Sequence, residues 1–320
     1  MNTTPSFIFP LMVSAAFAQG PLQPSTTIDP KLGPVAPLNG SGAPQATMRT
    51  LYQIEPRTPL VAGSPGVTVS AGGNITISQP GSYYLTGNVA LTGGDGITID
   101  SGSASVDLNG FNISTTAIAT GRGIVSSTGG SVVITNGSIS CSGFVNNSSG
   151  AISGASFEFG IHLFSSFQAT VSKMNINGIS NKAIFLDKDF STTIDSCSAL
   201  NCVNGFEGAI VSNSIATAIG QKAIVGEMVS NCVGKSYTQD GITAFVVTNS
   251  MGQTFNTAAN LTATGIRADP FKAGLVTHSR GVTGAVGISN SNSILATTAV
   301  GCTVVGQAQI ANRYSMAASP

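Results

Sequence analysis

Residues Gly81–Ile113 read GSYYLTGNVALTGGDGITIDSGSASVDLNGFNI. Two short runs in this stretch, Gly96-Ile97-Thr98-Ile99 and Val106-Asp107-Leu108-Asn109-Gly110, alternate with the period of two of a β-strand. Gly, Ser and Asp, which suit turns, separate them. The chain then repeats this unit. A small residue followed by a large apolar one recurs at Gly96-Ile97, Gly123-Ile124, Gly160-Ile161, Ala183-Ile184, Gly205-Phe206, Ala223-Ile224, Gly241-Ile242, Gly265-Ile266 and Gly287-Ile288. Their spacing runs from 18 residues (Ile224 to Ile242) to 37 (Ile124 to Ile161). A second marker follows most of them: Ile194 to Cys197, Val211 to Ser214, Val229 to Cys232, Val247 to Ser250 and Val276 to Ser279. One marker could arise by chance in a Gly-rich chain. Two that keep step define a repeat.

A period near 22 with strand-like alternation suits a coiled β-solenoid with two or three short strands per turn. One turn cannot bury its apolar face alone, so stability comes from stacking neighbours. About ten turns at roughly 4.8 Å each span on the order of 50 Å. Helical periodicity is absent, and Leu is too sparse for leucine-rich repeats. In each marker strand the apolar residue points inward, the residues one and three later outward, and the residue two later inward. That inward set is Ile99, Leu163, Leu186, Gly208, Gly226, Ala244 and Ala268, nearly all apolar or small. Ile242 is thus expected in the core, where Ile242→Asp collapses the stack, while Thr243→Asp outside it is tolerated.

The second marker places Asn213, Asn231 and Asn249 in one column, with His278 at the equivalent place and Asn136 a further candidate. Stacked amides can hydrogen-bond from turn to turn. The five cysteines, Cys141, Cys197, Cys202, Cys232 and Cys302, cannot all pair. Cys197 and Cys232 share a repeat position two turns apart, roughly 10 Å, beyond disulfide reach. They read as small buried hydrophobes. The insertion between Ile124 and Ile161, with Phe144-Val145-Asn146-Asn147-Ser148-Ser149-Gly150, is expected to project as a loop.

The run Ser78 to Asn88, then Gly96 to Ile99, then Val106 to Ile113 resembles the opening of secreted bacterial right-handed parallel β-helix repeat proteins of the pectate-lyase-like superfamily. The leader from Ala43 to Pro59 resembles the segment that precedes such helices. The resemblance covers roughly residues 43 to 300 and implies an all-β, right-handed parallel β-helix of about ten turns behind a Pro-rich leader, exported from the cell. It implies no single activity.

The expected organisation is a signal peptide at 1–18, a leader at 19–66, the parallel β-helix at 67–305 and a polar tail at 306–320. An apolar core from Phe7 to Phe17 precedes Ala16-Phe17-Ala18, a small-x-small cleavage pattern before Gln19, though Lys and Arg are missing near Met1. Six prolines, at 21, 24, 30, 34, 37 and 44, make the next segment an extended lead-in. Thr47 to Ile54 suits a short helix that caps the first turn. Val67 to Val69 and Ile75 to Ile77 read as the first strands. Charge is sparse (8%) and balanced (13 basic, 13 acidic), without the basic clusters of a nucleic-acid protein. No apolar run is long enough for a membrane helix. A monomer at the cell surface or outside it is expected.

In this register one outward strip holds His162, Asp187, Glu207, Glu227, Arg267 and Asp269. Carboxylates about 6.5–9.5 Å apart serve inverting glycosidases and about 5 Å apart retaining ones. Asp187, Glu207 and Glu227 are therefore candidate catalytic residues, and His162, Asp187, Asp189, Arg267 and Asp269 a candidate binding surface. The plainer alternative is a solvated charged face. Asp187 and Asp189 offer at most a weak Ca²⁺ site, and no Cys or His cluster suggests another metal. The motifs of β-helix polysaccharide-degrading enzymes are not visible: no Asn-Thr-Asp run, no Asp-Asp pair, no Gly-His-Gly and no Arg-x-Lys. Trp is absent, and the aromatic residues are five Tyr, Tyr83, Tyr84 and Tyr237 among them, and 15 Phe. Two functions stay open. One is a structural or binding β-helix facing a polysaccharide or cell-surface component. The other is a polysaccharide lyase or hydrolase on the same scaffold.

Overall fold

The computed structural model describes residues 57–164, 168–186, 191–255, 263–268, 274–283, 292–296 and 298–305. The signal, most of the leader, the capping helix expected at 47–54 and the tail lie outside them. All described residues belong to the second of two compact units, Thr50–Pro320. They are all-β and contain no helix. An 11-stranded sheet carries the first marker and a 19-stranded sheet carries the second. They are called here the marker sheet and the bend sheet.

In the marker sheet Val67–Val69 and Ile75–Ile77 pair with each other, antiparallel. Every later pairing in that sheet is parallel. Ile75, Ile97, Ile124, Ile161, Ile184, Phe206, Ile224, Ile242, Ile266 and Ile294 stand in one register. Nearly all are fully buried. One expected member is corrected. Ile294, in Asn292–Leu295, takes the last place that the period assigned to Ile288, because the spacing from Ile266 to Ile294 is 28 residues by subtraction, longer than the average repeat. Ile288 itself is outside the described residues. Leu163, Leu186, Ala244 and Ala268 are buried as the inward set requires. The parallel pairing of the bend sheet also reaches back into the leader, where Thr58–Pro59 lies beside Tyr83 and Tyr84.

The bend sheet explains the second marker. Ile194, Val211, Val229, Val247, Val276 and Ala299 form its buried column. Two residues later the chain turns, and the turning residue has positive φ: Ser196 at 54°, Asn213 at 48°, Asn231 at 54°, Asn249 at 47° and His278 at 46°. Asn136, at 61°, holds the same kind of bend two turns earlier than Ser196. Asn is enriched there because its short amide tolerates the left-handed conformation. The amides also link turns. Asn231 Nδ2 donates to Asn213 Oδ1 at 3.3 Å, and Asn213 Nδ2 donates to Asp195 Oδ1 at 2.7 Å. Asp195 also accepts from the Ser212 and Ser196 hydroxyls, which holds its carboxyl below the usual range.

The next residue is Cys197, Ser214, Cys232, Ser250, Ser279 or Cys302, so either Cys or Ser stands there. The Ser214 hydroxyl donates to the Ser212 carbonyl at 2.6 Å and accepts from the Cys197 N–H at 3.1 Å. Ser250 does the same with the Thr248 carbonyl and the Cys232 N–H. The thiols of Cys197 and Cys232 lie against the carbonyls two residues back, at 3.2 and 3.1 Å. Ser and Cys thus fill one small buried slot, and the hydroxyl or thiol meets the carbonyl that the bend exposes. All five cysteines are free. Burial pushes the Cys197 and Cys202 thiols up to about 12 and the Cys232 thiol to about 11. These are inert core groups.

The insertion after Ser140 does not project as expected. Phe144–Val145 and Ile152–Ser153 form a small antiparallel hairpin, and Val145 is buried. Its tip is an Asx turn, with the Ser148 and Ser149 N–H groups donating to Asn146 Oδ1. The tip lies back against later turns: a Cβ at Gly150 would sit 2.6 Å from the Gly220 carbonyl and 3.2 Å from the Thr238 methyl. Contact between two glycine backbones replaces the solvent that a projecting loop would meet. A methyl at Gly220 would collide with the Gly150 carbonyl. Gly220→Ala is therefore expected to lift the hairpin while leaving the sheets in place. Limited proteolysis should cut faster between Asn146 and Gly150 in the variant, and equal rates would mean the hairpin is not strapped down there.

Candidate binding face

The outer face of the marker sheet collects the chemistry. One outward column runs Thr98, Val125, His162, Phe185, Glu207, and after Val225 and Thr243 it reaches Arg267. A second, three residues earlier in each strand, includes Arg122, Phe159, Lys182 and Asn204. Residues three apart face opposite ways in a regular strand, but Gly160 and Ile161 are buried in succession, so the alternation breaks there and Phe159 comes round to stack beside His162 on the same side.

Four rings gather where the columns pass turns of the Phe159–Leu163 and Lys182–Leu186 strands. The His162 ring centroid lies 4.3 Å from Phe159, 4.7 Å from Phe164 and 4.9 Å from Phe185. Phe159 and Phe185 are 6.1 Å apart and nearly parallel, at 22°. All four are half-buried. Ion pairs bound this patch. On one side Arg122 donates twice to Asp95, Nε to Oδ1 at 3.0 Å and Nη2 to Oδ2 at 2.9 Å. On the other, Lys182 Nζ is 2.8 Å from Glu207 Oε2 and 3.7 Å from the Phe185 ring centroid. Beyond Glu207 a cleft of about 300 Å³ opens, lined by Asn204, Gln221, Lys222, Val225 and Gln239 with the Lys182–Glu207 pair at its edge.

His162 stays neutral. Burial drops its pKa from 6.5 to about 4, and the nearby charges of Arg122 and Lys182 add to the effect against a smaller opposing pull from Asp95. Its Nδ1 is buried without a hydrogen-bond partner. Between about pH 6.5 and pH 4 the unfolded chain binds a proton here that the folded chain refuses. The stability His162 allows is therefore full above pH 6.5 and is lost as pH falls through the window. His162→Phe keeps the ring and removes the titration. Thermal melting at about pH 7 and pH 4 should show the wild type losing a few degrees more than the variant. Equal losses would mean that the imidazole is free to protonate in the fold.

The expected acidic strip is dispersed. Glu207 faces outward and is engaged by Lys182. Glu227 is an exposed corner residue between Ile224–Val225 and Met228–Ser230, off the strand face. Arg267 reaches Asp240, and its Nη2 also donates to the Thr264 hydroxyl on its own strand. Asp187, Asp189 and Asp269 lie outside the described residues. Among the described residues, no group of three or more His, Cys, Asp or Glu gathers as a metal site, and no helix is long and apolar enough to cross a membrane.

The ring cluster was not singled out from the sequence. Its signal is His162 one residue after a marker and Phe185 one after the next, both outward in the register; Phe159, two before a marker, is inward by strict alternation and gave no sign of joining them. No family model, curated protein or solved structure matches the chain. The likeness to parallel β-helix proteins accordingly rests on the repeat motifs, and the all-β fold with two large, mostly parallel sheets is compatible with it.

Proposed function

We propose that this chain is a secreted or cell-surface right-handed parallel β-helix of about ten turns that binds a polysaccharide on the outer face of its marker sheet. The observation that carries this reading is the half-buried platform of Phe159, His162, Phe164 and Phe185 beside the amide-lined cleft at Asn204, Gln221 and Gln239. A sugar ring has apolar faces and a polar rim. Aromatic surface serves the first and convergent amides with a lysine serve the second. The handedness follows the strong preference of parallel crossover connections. Ten marker-sheet strands in parallel register support the number of turns. Export is supported by the Ala16-Phe17-Ala18 pattern and is tested by finding mature protein that begins at Gln19 in the medium.

The test is a polysaccharide panel scored for both binding and product release. Binding of one polymer without cleavage, weakened about three- to tenfold by Phe185→Ala, is the expected result. Product release abolished by Glu207→Gln or Glu227→Gln would replace the binding role with a lyase or hydrolase. Polymer binding unchanged in Phe185→Ala would remove the platform from the account.

A further inference from the structure

The bend sheet carries a second groove, of about 470 Å³, on the other large sheet from the aromatic platform. It follows the positive-φ column through Asn231, Asn249, His278 and Gly301, one residue per turn. The neighbouring column, Val233, Met251, Arg280 and Thr303, forms its other wall. Two departures from the repeat fall together here. The bend residue is Asn in the three preceding turns and becomes His278. Ile215, Val233 and Met251 occupy the facing column before it becomes Arg280. The next bend is Gly301, where a Cβ would lie 3.1 Å from His278 Cδ2, so the missing side chain leaves room for the imidazole.

The groove is lined by no acidic residue. Among the described residues no carboxylate pairs with Arg280, whereas the other arginines described, Arg57, Arg122 and Arg267, each have one. Arg280, His278 and Asn249 are all exposed. The amide ladder is bonded from Asp195 through Asn213 to Asn231, so its donors point back toward that carboxylate. Neither the Asn249 amide nor the His278 ring has a hydrogen-bond partner among the described residues. The geometry points to an oxyanion site: a carboxylate or sulfate group on the Arg280 fork and the His278 ring, with the rest of a small ligand along the Asn249 and Asn231 amides and against Met251. Arg is suited to this because its planar fork matches an oxyanion with two parallel hydrogen bonds.

The proposal stands apart from the platform and is tested separately. The full ¹⁵N-labelled chain is titrated with sodium sulfate, sodium acetate and sodium glucuronate, with glucose as the uncharged control. Signals of Asn249, His278 and Arg280 should move with the anions and not with glucose. Arg280→Gln should weaken binding about tenfold or more. His278→Asn should also weaken it at unchanged melting temperature, because Asn already serves this bend at Asn249. Glucuronate binding more tightly than acetate and sulfate would assign the oxyanion to a sugar. Equal binding of all three would support a site that reads the charged group alone. Equal movement with glucose, or anion binding unchanged in Arg280→Gln, would overturn the proposal.

Discussion

Ile242→Asp is expected to unfold the middle of the stack. Ile242 is fully buried, and its strand pairs with Ile224–Val225 on one side and Thr264–Ala268 on the other. Losing the buried side chain removes about 2–3 kcal/mol of apolar burial. Placing a carboxylate in the same slot adds a desolvation cost of several kcal/mol more unless it is protonated. Together these approach the whole stability of an ordinary domain, although the turns on either side of Ile242 each keep one intact neighbour. The loss should appear as a large drop in melting temperature and a second, lower transition in calorimetry. The outward comparison needs one change from the sequence-based expectation. The Thr243 hydroxyl donates to Asp240 Oδ2, so Thr243→Asp would set two carboxylates side by side. Thr243→Asn keeps a donor there and should melt within a degree or two of the wild type. Similar melting for Ile242→Asp and Thr243→Asn would refute the register.

That register was legible because burial imposes it. A period of two and a repeat of about 22 leave little choice for Ile97, Ile184 or Val229, since a one-residue slip would turn each to solvent. The bend column was legible by composition, as Asn is the residue that best tolerates its conformation. Less visible was what depends on contact between remote turns. Gly150 and Gly220 are 70 residues apart by subtraction, and no repeat position links them, so the hairpin's resting place could not be read. The charged strip was placed on the correct face at Glu207 and Arg267. Its partners were hidden, because Lys182 and Asp240 sit in other columns and reach across a turn. The rings were hidden for a related reason: Phe159 and His162 are three residues apart, which strict alternation puts on opposite faces, and they meet only because Gly160 and Ile161 are both buried and the alternation breaks between them. Ile288 shows the limit of the period itself. A longer connection moved the last marker to Ile294, and the spacing held no sign of it.

Asp240→Ala is expected to be the most damaging change to a polar residue. Asp240 is 5% exposed, the most buried of the described carboxylates. It precedes the Gly241-Ile242 marker and accepts at four points, three from the following strand of the sheet and one from Thr243 in its own turn. Arg267 Nε donates to Oδ2 at 2.8 Å and Arg267 Nη2 to Oδ1 at 3.2 Å. The Thr264 N–H donates to Oδ1 at 2.8 Å and the Thr243 hydroxyl to Oδ2 at 3.2 Å. Removing the carboxylate takes a countercharge from a half-buried guanidinium and leaves the buried Thr264 N–H without its acceptor. The lost charge pairing and the unmatched N–H together cost about 3 kcal/mol. Asp95 supplies the control within the same molecule. It also precedes a Gly-Ile marker and takes the Arg122 backbone N–H and two guanidinium donors, but its side chain is 23% exposed against 7% for Asp240. Water can replace what Asp95→Ala removes, so that change should cost about 1 kcal/mol. Asp240→Asn should fall between the two, since the amide keeps one acceptor for Thr264 and loses the charge. Denaturant unfolding of the three variants tests the order. If Asp95→Ala and Asp240→Ala are equally destabilising, burial does not set the strength of these clamps, and the Asp-Gly-Ile motif acts through its turn alone.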